Sequence, residues 1–200
     1  MKLIIFVNIM EKTVLALGLV LLFPALTIAV ENDTTKLNTD YERKYYFGLG
    51  AGFNAPYGFG LEVGYKLNEN MDINTGVGVN LSGGKVGLGT QYFFSPVSKV
   101  SPFLGFNFVQ SSGIPELVVV VNQDQAKYRI PSNNVFHAKA GLRFRTGPVL
   151  DILGTLGYSV PLNDKEAEYI SGSTSSSVKE FANFVSPGGL EVSAKLAFRF

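Results

Sequence analysis

Apolar and polar residues alternate one for one along most of this chain. The stretch from Gly189 to Phe200 shows it most clearly. Leu190, Val192, Ala194, Leu196, Phe198 and Phe200 fall on one face, and Glu191, Ser193, Lys195 and Arg199 fall on the other. A period of two is a β-strand with one apolar and one polar face. Seven earlier stretches repeat the pattern, at 44–53, 59–67, 71–81, 85–94, 102–110, 135–145 and 149–160. Between them stand runs rich in Gly, Pro, Asn and Ser, including Ser82-Gly83-Gly84, which reads as a tight hairpin turn. The pattern predicts an all-β fold of eight antiparallel strands, most near the ~9–11 residues that a tilted membrane strand needs.

Two insertions break the rhythm, at 111–134 and 161–188. The first holds a continuous apolar run, Leu117 to Val121, then Asn122 to Gln125 as a turn, then Ala126 to Ile130. It predicts a β-hairpin standing on the barrel rim, with arms too short to cross a membrane. Leu117, Val119 and Val121 are its candidate apolar edge for a partner. The second insertion is polar and Ser-rich, and no element is predicted in it.

Eight strands close into a barrel that leaves no edge. A soluble barrel would turn the apolar face inward, and a membrane barrel turns it toward lipid. The polar face decides between them. It is crowded with glycine, at positions such as Gly48, Gly50, Gly64, Gly76 and Gly89, which suits the narrow interior of eight strands better than a water-facing surface. It also carries both signs of charge: Glu62, Lys66, Asp72, Lys85, His137, Lys139, Arg143, Arg145, Asp151, Glu191, Lys195 and Arg199. These are expected to form a charge network in the lumen, in which Arg143 and Arg145 find acidic partners such as Asp151 across the short turn. No strand carries a charge in the middle of its apolar face, where each Lys or Arg would cost ~2–4 kcal/mol. Aromatic residues collect at the ends of that face. Phe53, Phe59, Phe136 and Tyr158 lie at one end, and Phe47, Tyr65, Tyr92, Phe94, Phe144, Phe198 and Phe200 at the other. Counting connections from one side places 54–58, 82–84, 111–134 and 161–188 together, so both insertions share one face of the membrane.

The length, 200 residues, allows one such domain. Cys is absent, which removes disulfides, thiol catalysis and Cys-ligated metals. A net charge of +1 gives no basic surface for nucleic acid. The start of the chain reads as a cleaved signal peptide over 1–29, with Lys2 and Lys12 ahead of an apolar run and Thr27-Ile28-Ala29 as the cleavage site. Met10 is an alternative initiator. A short polar segment, 30–43, precedes the barrel at 44–200. Loss of the leader removes Lys2, Lys12 and Glu11 and leaves the mature chain formally neutral.

The alternating final strand that ends on Phe200 resembles the C-terminal assembly signal of Gram-negative outer-membrane barrels. Over 44–200 the chain resembles the OmpA/OmpX-type and opacity-like family of small outer-membrane barrels. The resemblance implies an eight-stranded transmembrane up-and-down β-barrel in the bacterial outer membrane. It implies outer-membrane lipids and lipopolysaccharide as surroundings, an assembly machinery that reads Leu196, Phe198 and Phe200, and loops that meet a host or surface ligand.

Chemistry is sparse. The single histidine, His137, faces the lumen beside Lys139. Lipid A deacylases among such barrels use a lipid-facing His and Ser, and palmitoyltransferases need an apolar upper lumen; this pattern matches neither. No enzyme activity, cofactor or metal is expected. A surface or structural barrel presenting loops is the favoured function, with a small pore second and a lipid-modifying enzyme third.

Overall fold

The computed structural model describes residues 43–121, 124–163, 167–172, 178, 181 and 184–200. The expected leader at 1–29 and residues 30–42 of the expected polar segment lie outside them. Among the described residues, eleven strands follow in chain order. Eight close an antiparallel barrel: β1 (Tyr45–Phe53), β2 (Phe59–Lys66), β3 (Met71–Asn80), β4 (Gly83–Phe93), β5 (Val100–Ser111), β8 (Asn133–Arg145), β9 (Leu150–Pro161) and β11 (Gly189–Arg199). The remaining three, β6 (Ile114–Val121), β7 (Asp124–Ile130) and β10 (Glu168–Gly172), form a separate sheet in the order β10-β7-β6.

Each barrel strand pairs with the next one along the chain, and β11 returns to β1. That seam runs in unbroken register from Tyr46 opposite Arg199 to Phe53 opposite Val192. It ends where the Tyr45 amide donates to the Phe200 carbonyl at 3.2 Å and the Phe200 amide donates to the Tyr45 carbonyl at 2.9 Å. The two rings stack 6.3 Å apart beside it. We call this the terminal end of the barrel and the opposite one the loop end.

Burial along the strands is inverted relative to a water-soluble domain. Leu61, Val63, Val77, Val86, Phe106 and Ile152 are exposed, and Leu88 reaches 64% exposure. Glu62, Asn74, Gln91, Asn107 and Lys139 on the alternate positions are buried. A continuous apolar outer surface around a polar interior is stable only where the surroundings are themselves apolar. Rings frame the apolar surface at both ends. Phe53, Phe59, Phe136 and Tyr158 are exposed toward the loop end, and Phe47, Tyr92, Phe94, Phe144, Phe198 and Phe200 toward the terminal end.

Two parts of the fold differ from the sequence expectation. The first connection, 54–58, does not stand outward but folds back into the barrel mouth, with Ala55, Pro56, Tyr57 and Gly58 all buried. Asn54, at φ 50°, sets the turn, and its Nδ2 donates to the carbonyls of Gly188 (2.6 Å) and Leu190 (3.2 Å). A short polar side chain tolerates the left-handed backbone that such a reversal needs. The second connection is tighter than Ser82-Gly83-Gly84: β3 ends at Asn80 and Gly83 already belongs to β4, at φ 110°.

A closed ladder in detergent resists unfolding because every backbone group of the sheet is paired. The folded chain is therefore expected to migrate differently in a gel before and after boiling. Phe200→Asp, at the seam, should lower the heat-modifiable fraction recovered from membranes, and Ser171→Asp on exposed β10 should not. Equal folded yield for the two variants contradicts a role for the seam in assembly.

Candidate functional site

All twelve charged positions expected in the lumen lie on inward-facing strand positions, and the structure resolves them into layers. At the loop end the folded-in turn forms a plug. The Tyr57 hydroxyl donates to Asn74 Oδ1 at 3.1 Å, and Asn107 Nδ2 donates to the same oxygen at 3.1 Å. Lys85 Nζ donates to the Ala55 carbonyl at 2.9 Å, which ties β4 to the plug. Beside it, His137 Nδ1 lies 2.9 Å from Glu191 Oε2, with both side chains fully buried. His137 Nε2 and Glu191 Oε1 have no partner among the described residues.

Below the plug is a space of about 40 Å³, bordered by Tyr57, Glu62, Lys139 and Lys195. A water molecule needs about 10–15 Å³, so this holds a few waters. Glu62 forms the next layer. Its Oε1 accepts from Lys195 Nζ at 2.6 Å and from the Tyr46 hydroxyl at 2.6 Å. Lys195 Nζ also lies 5.0 Å from the centre of the Tyr46 ring, within cation–π range.

An apolar plate follows, made of Tyr46, Phe93, Phe103, Leu153 and Ala197. Phe93 and Phe103 pack with ring centres 5.2 Å apart. The alternation places both on the inward face, but their composition gave no reason to expect an apolar layer in a charged lumen. Arg143 sits over the Phe93 ring at 3.9 Å and donates to the Pro96 carbonyl at 2.8 Å. Asp151 accepts from Arg199 Nη2 at 2.8 Å. Arg143 thus rests on an aromatic face and a carbonyl, and Asp151 takes part in an ion pair with β11. Asp72, Lys66 and Arg145 complete this end, around a second space of about 20 Å³.

The lumen glycines have a geometric reason. A Cβ on Gly64 would overlap the Tyr46 ring, and one on Gly89 would overlap the Asn107 side chain. At Gly76 it would lie 2.7 Å from Tyr57 Cε2, and at Gly141 2.7 Å from Phe103 Cζ. Each of these glycines is the notch into which a neighbouring side chain lies down across the interior.

The loop-end insertions combine into one unit. β6 and β7 form the expected hairpin, longer than anticipated, because Asp124 and Gln125 belong to β7 rather than to the turn. β10, from the second insertion, pairs with β7, with Tyr169 opposite Tyr128. Val178, one of the helical residues of that insertion, is buried against Val119, Ala126 and Tyr128. This corrects the expected apolar edge. Val119 is 2% exposed and belongs to the sheet's own core, and Leu117 packs partly against it. The outward valines are Val118 and Val120, at 46% and 64% exposure. Val121 ends β6 opposite Asp124. The parity follows from one residue: Val119 faces Ala126 across the hairpin, and both are covered by Val178. Val178, Phe181 and Val185 recur at helical spacing, and that period was the signal for structure inside the polar insertion. Among the described residues, no three His, Asp or Glu side chains converge as a metal site would require.

The notches make a direct prediction. Gly64→Ala drives a methyl into the Tyr46 ring and disturbs its bond to Glu62, so it should destabilise the barrel by about 1–3 kcal/mol. At Gly154 nothing lies within 4 Å of an added Cβ, so Gly154→Ala should stay within about 0.5 kcal/mol. Unfolding titrations in lipid vesicles that rank the two alike would contradict the notch account.

No protein-family model matches the chain. No curated protein matches it either. Solved structures do match. The N-terminal β-barrel domain of Pseudomonas aeruginosa OprF is 13% identical with a TM-score of 0.50, over 79% of this chain and 98% of that one. Neisserial surface protein A is 13% identical with a TM-score of 0.43, over 78% and 95%. CarO2 of Acinetobacter baumannii is 7% identical with a TM-score of 0.42, over 79% and 98%. At such identities the likeness speaks to fold alone: this chain has the fold of the small eight-stranded outer-membrane barrels.

Proposed function

We propose that this chain is an integral outer-membrane surface protein whose barrel is a sealed pedestal and whose working part is the raised sheet at the loop end. The observation that carries the reading is the sheet itself. β6, β7 and β10 come from the two long insertions, share a core at Val119, Ala126, Tyr128 and Val178, and leave Val118 and Val120 outward. A loop that only connects strands needs no core of its own. Among the described residues the outer edge of β6 pairs with no strand, an edge beside exposed valines that is suited to strand addition or apolar contact with a partner.

The layered lumen supports the sealed reading. The plug, the Glu62 layer and the Phe93–Phe103 plate stack across the interior, with a space of about 40 Å³ below the plug and one of about 20 Å³ beneath the plate. A hydrated ion needs a continuous path wider than these spaces. In the proposed orientation the terminal end faces the periplasm and the raised sheet faces outward, after export through a cleaved signal peptide at residues 1–29.

The test uses bacteria that display the mature chain, with adhesion scored on serum-coated surfaces. Val118→Asp with Val120→Asp should leave the heat-modifiable barrel intact and abolish adhesion. Val119→Asp should collapse the raised sheet itself and expose β7 to protease. Unchanged adhesion by a well-folded Val118/Val120 variant would refute the sheet as the working surface. In planar bilayers the unmodified barrel should show no steady conductance, and stepwise conductance would favour the pore.

A further inference from the structure

We propose that the terminal end of the barrel is a phosphate-binding site, centred on Arg143 and fed by the rim cations Arg43 and Lys44. The site is the cleft beneath the Phe93–Phe103 plate, which opens toward the terminal mouth. Seven Lys or Arg side chains line it, against two carboxylates, Asp72 and Asp151. Adding Glu62, which holds Lys195 from the layer above, still leaves three carboxylates facing seven cations. Among the described residues these cations gather at one end, in a chain whose formal net charge is only +1.

Buried charge of one sign is costly unless something of the opposite sign meets it. Arg199 is met by Asp151 at 2.8 Å, and Arg143 is as deep, at 5% exposure. Arg143 is also fixed in place. Its guanidinium lies over the Phe93 ring at 3.9 Å, and one nitrogen is held by the Pro96 carbonyl at 2.8 Å. Its Nε is buried and has no partner among the described residues. A planar fork pinned on one side, with a spare donor on a cleft-lining side chain, is suited to an oxyanion with several acceptor oxygens. Lys66 approaches from β2, and Arg145 lies two residues along β8 from Arg143. Donors from separate strands around one small space fit a tetrahedral phosphate better than a flat carboxylate. At the mouth, Arg43 donates to the Arg199 carbonyl at 3.2 Å, and Lys44 is exposed, so the rim can attract an anion before it reaches the deeper guanidinium.

The phosphate could arrive as a free ion or as the headgroup of a lipid at the membrane surface, and two probes separate these sources. The mature chain is folded in maltoside micelles, which carry no phosphate. It is then titrated calorimetrically at low salt with inorganic phosphate and, separately, with dihexanoyl-phosphatidylglycerol. Saturable binding of phosphate assigns the site to a soluble ion, and saturable binding of the lipid alone assigns it to a headgroup. In either case Arg143→Gln should weaken binding about tenfold or more, the expected loss of a charge-assisted hydrogen bond. The rim pair Arg43→Gln with Lys44→Gln should weaken it severalfold, and Lys127→Gln on the raised sheet should change nothing. If Arg143→Gln fails to fold, the rim pair decides, since neither side chain belongs to the packed interior. Absence of saturable binding by both probes overturns the proposal, as does binding that the rim pair leaves unaltered. Neither result bears on the raised sheet at the other end.

Discussion

The structure depends on one constraint: inside a bilayer no water is present to bond a backbone amide or carbonyl, so the sheet must satisfy itself. For β-strands this means closure. The seam between β1 and β11, continued past the last paired residues by the exchange between Tyr45 and Phe200, is where closure is achieved. Closure fixes the rest. A ring of strands has one face toward lipid and one toward its own interior, so the side chains sort by parity, with Leu61 and Val63 outside and Glu62 inside. One residue of slip would reverse every assignment on a strand.

The second consequence is a narrow interior that must be filled. Charges alone would fill it poorly, because each buried ion loses its water. The chain instead alternates kinds of layer. Tyr57 seals the loop end, Glu62 meets Lys195 and Tyr46 in the middle, and Phe93 with Phe103 forms an apolar plate on which Arg143 rests. Glycines opposite these side chains give them room to lie across the lumen. Tyr46 over Gly64 shows the coupling: the ring that needs the missing Cβ is also the ring that donates to Glu62. Packing and hydrogen bonding at this point rest on the same pair of strands, β1 and β2.

Much of this was legible in the sequence, for a physical reason. Period-two alternation is a local signal, and in a closed barrel every strand must obey it, so the strands and their lipid faces could be read one by one. The aromatic ends of the strands were readable for the same reason, since Phe53 and Phe59 must both sit where β1 hands over to β2. What escaped were contacts set by distance across the lumen. Nothing in Asn54 to Gly58 says that the turn folds inward, because that depends on Asn74, Asn107 and Lys85 on strands it meets only after closure. The Arg143–Phe93 contact joins β8 to β4, two strands that are not neighbours in the ring. The parity of β6 was misread because its apolar run is continuous, and five apolar residues in a row carry no alternation. Val119 is inward only because Val178, from the other insertion, covers it.

The central claim is that the apolar face meets lipid and the polar face does not. The chain contains no cysteine, so single cysteines can be introduced and spin-labelled one at a time in the barrel reconstituted in lipid vesicles. Collision with oxygen, which concentrates in lipid, is compared with collision with a water-soluble nickel complex. Labels at Val77, Leu88 and Ile152 should collide with oxygen and be shielded from nickel, and a label at Asn74 should be sheltered from oxygen. Strong nickel collision at Val77, Leu88 and Ile152 would place that face in water and contradict the account.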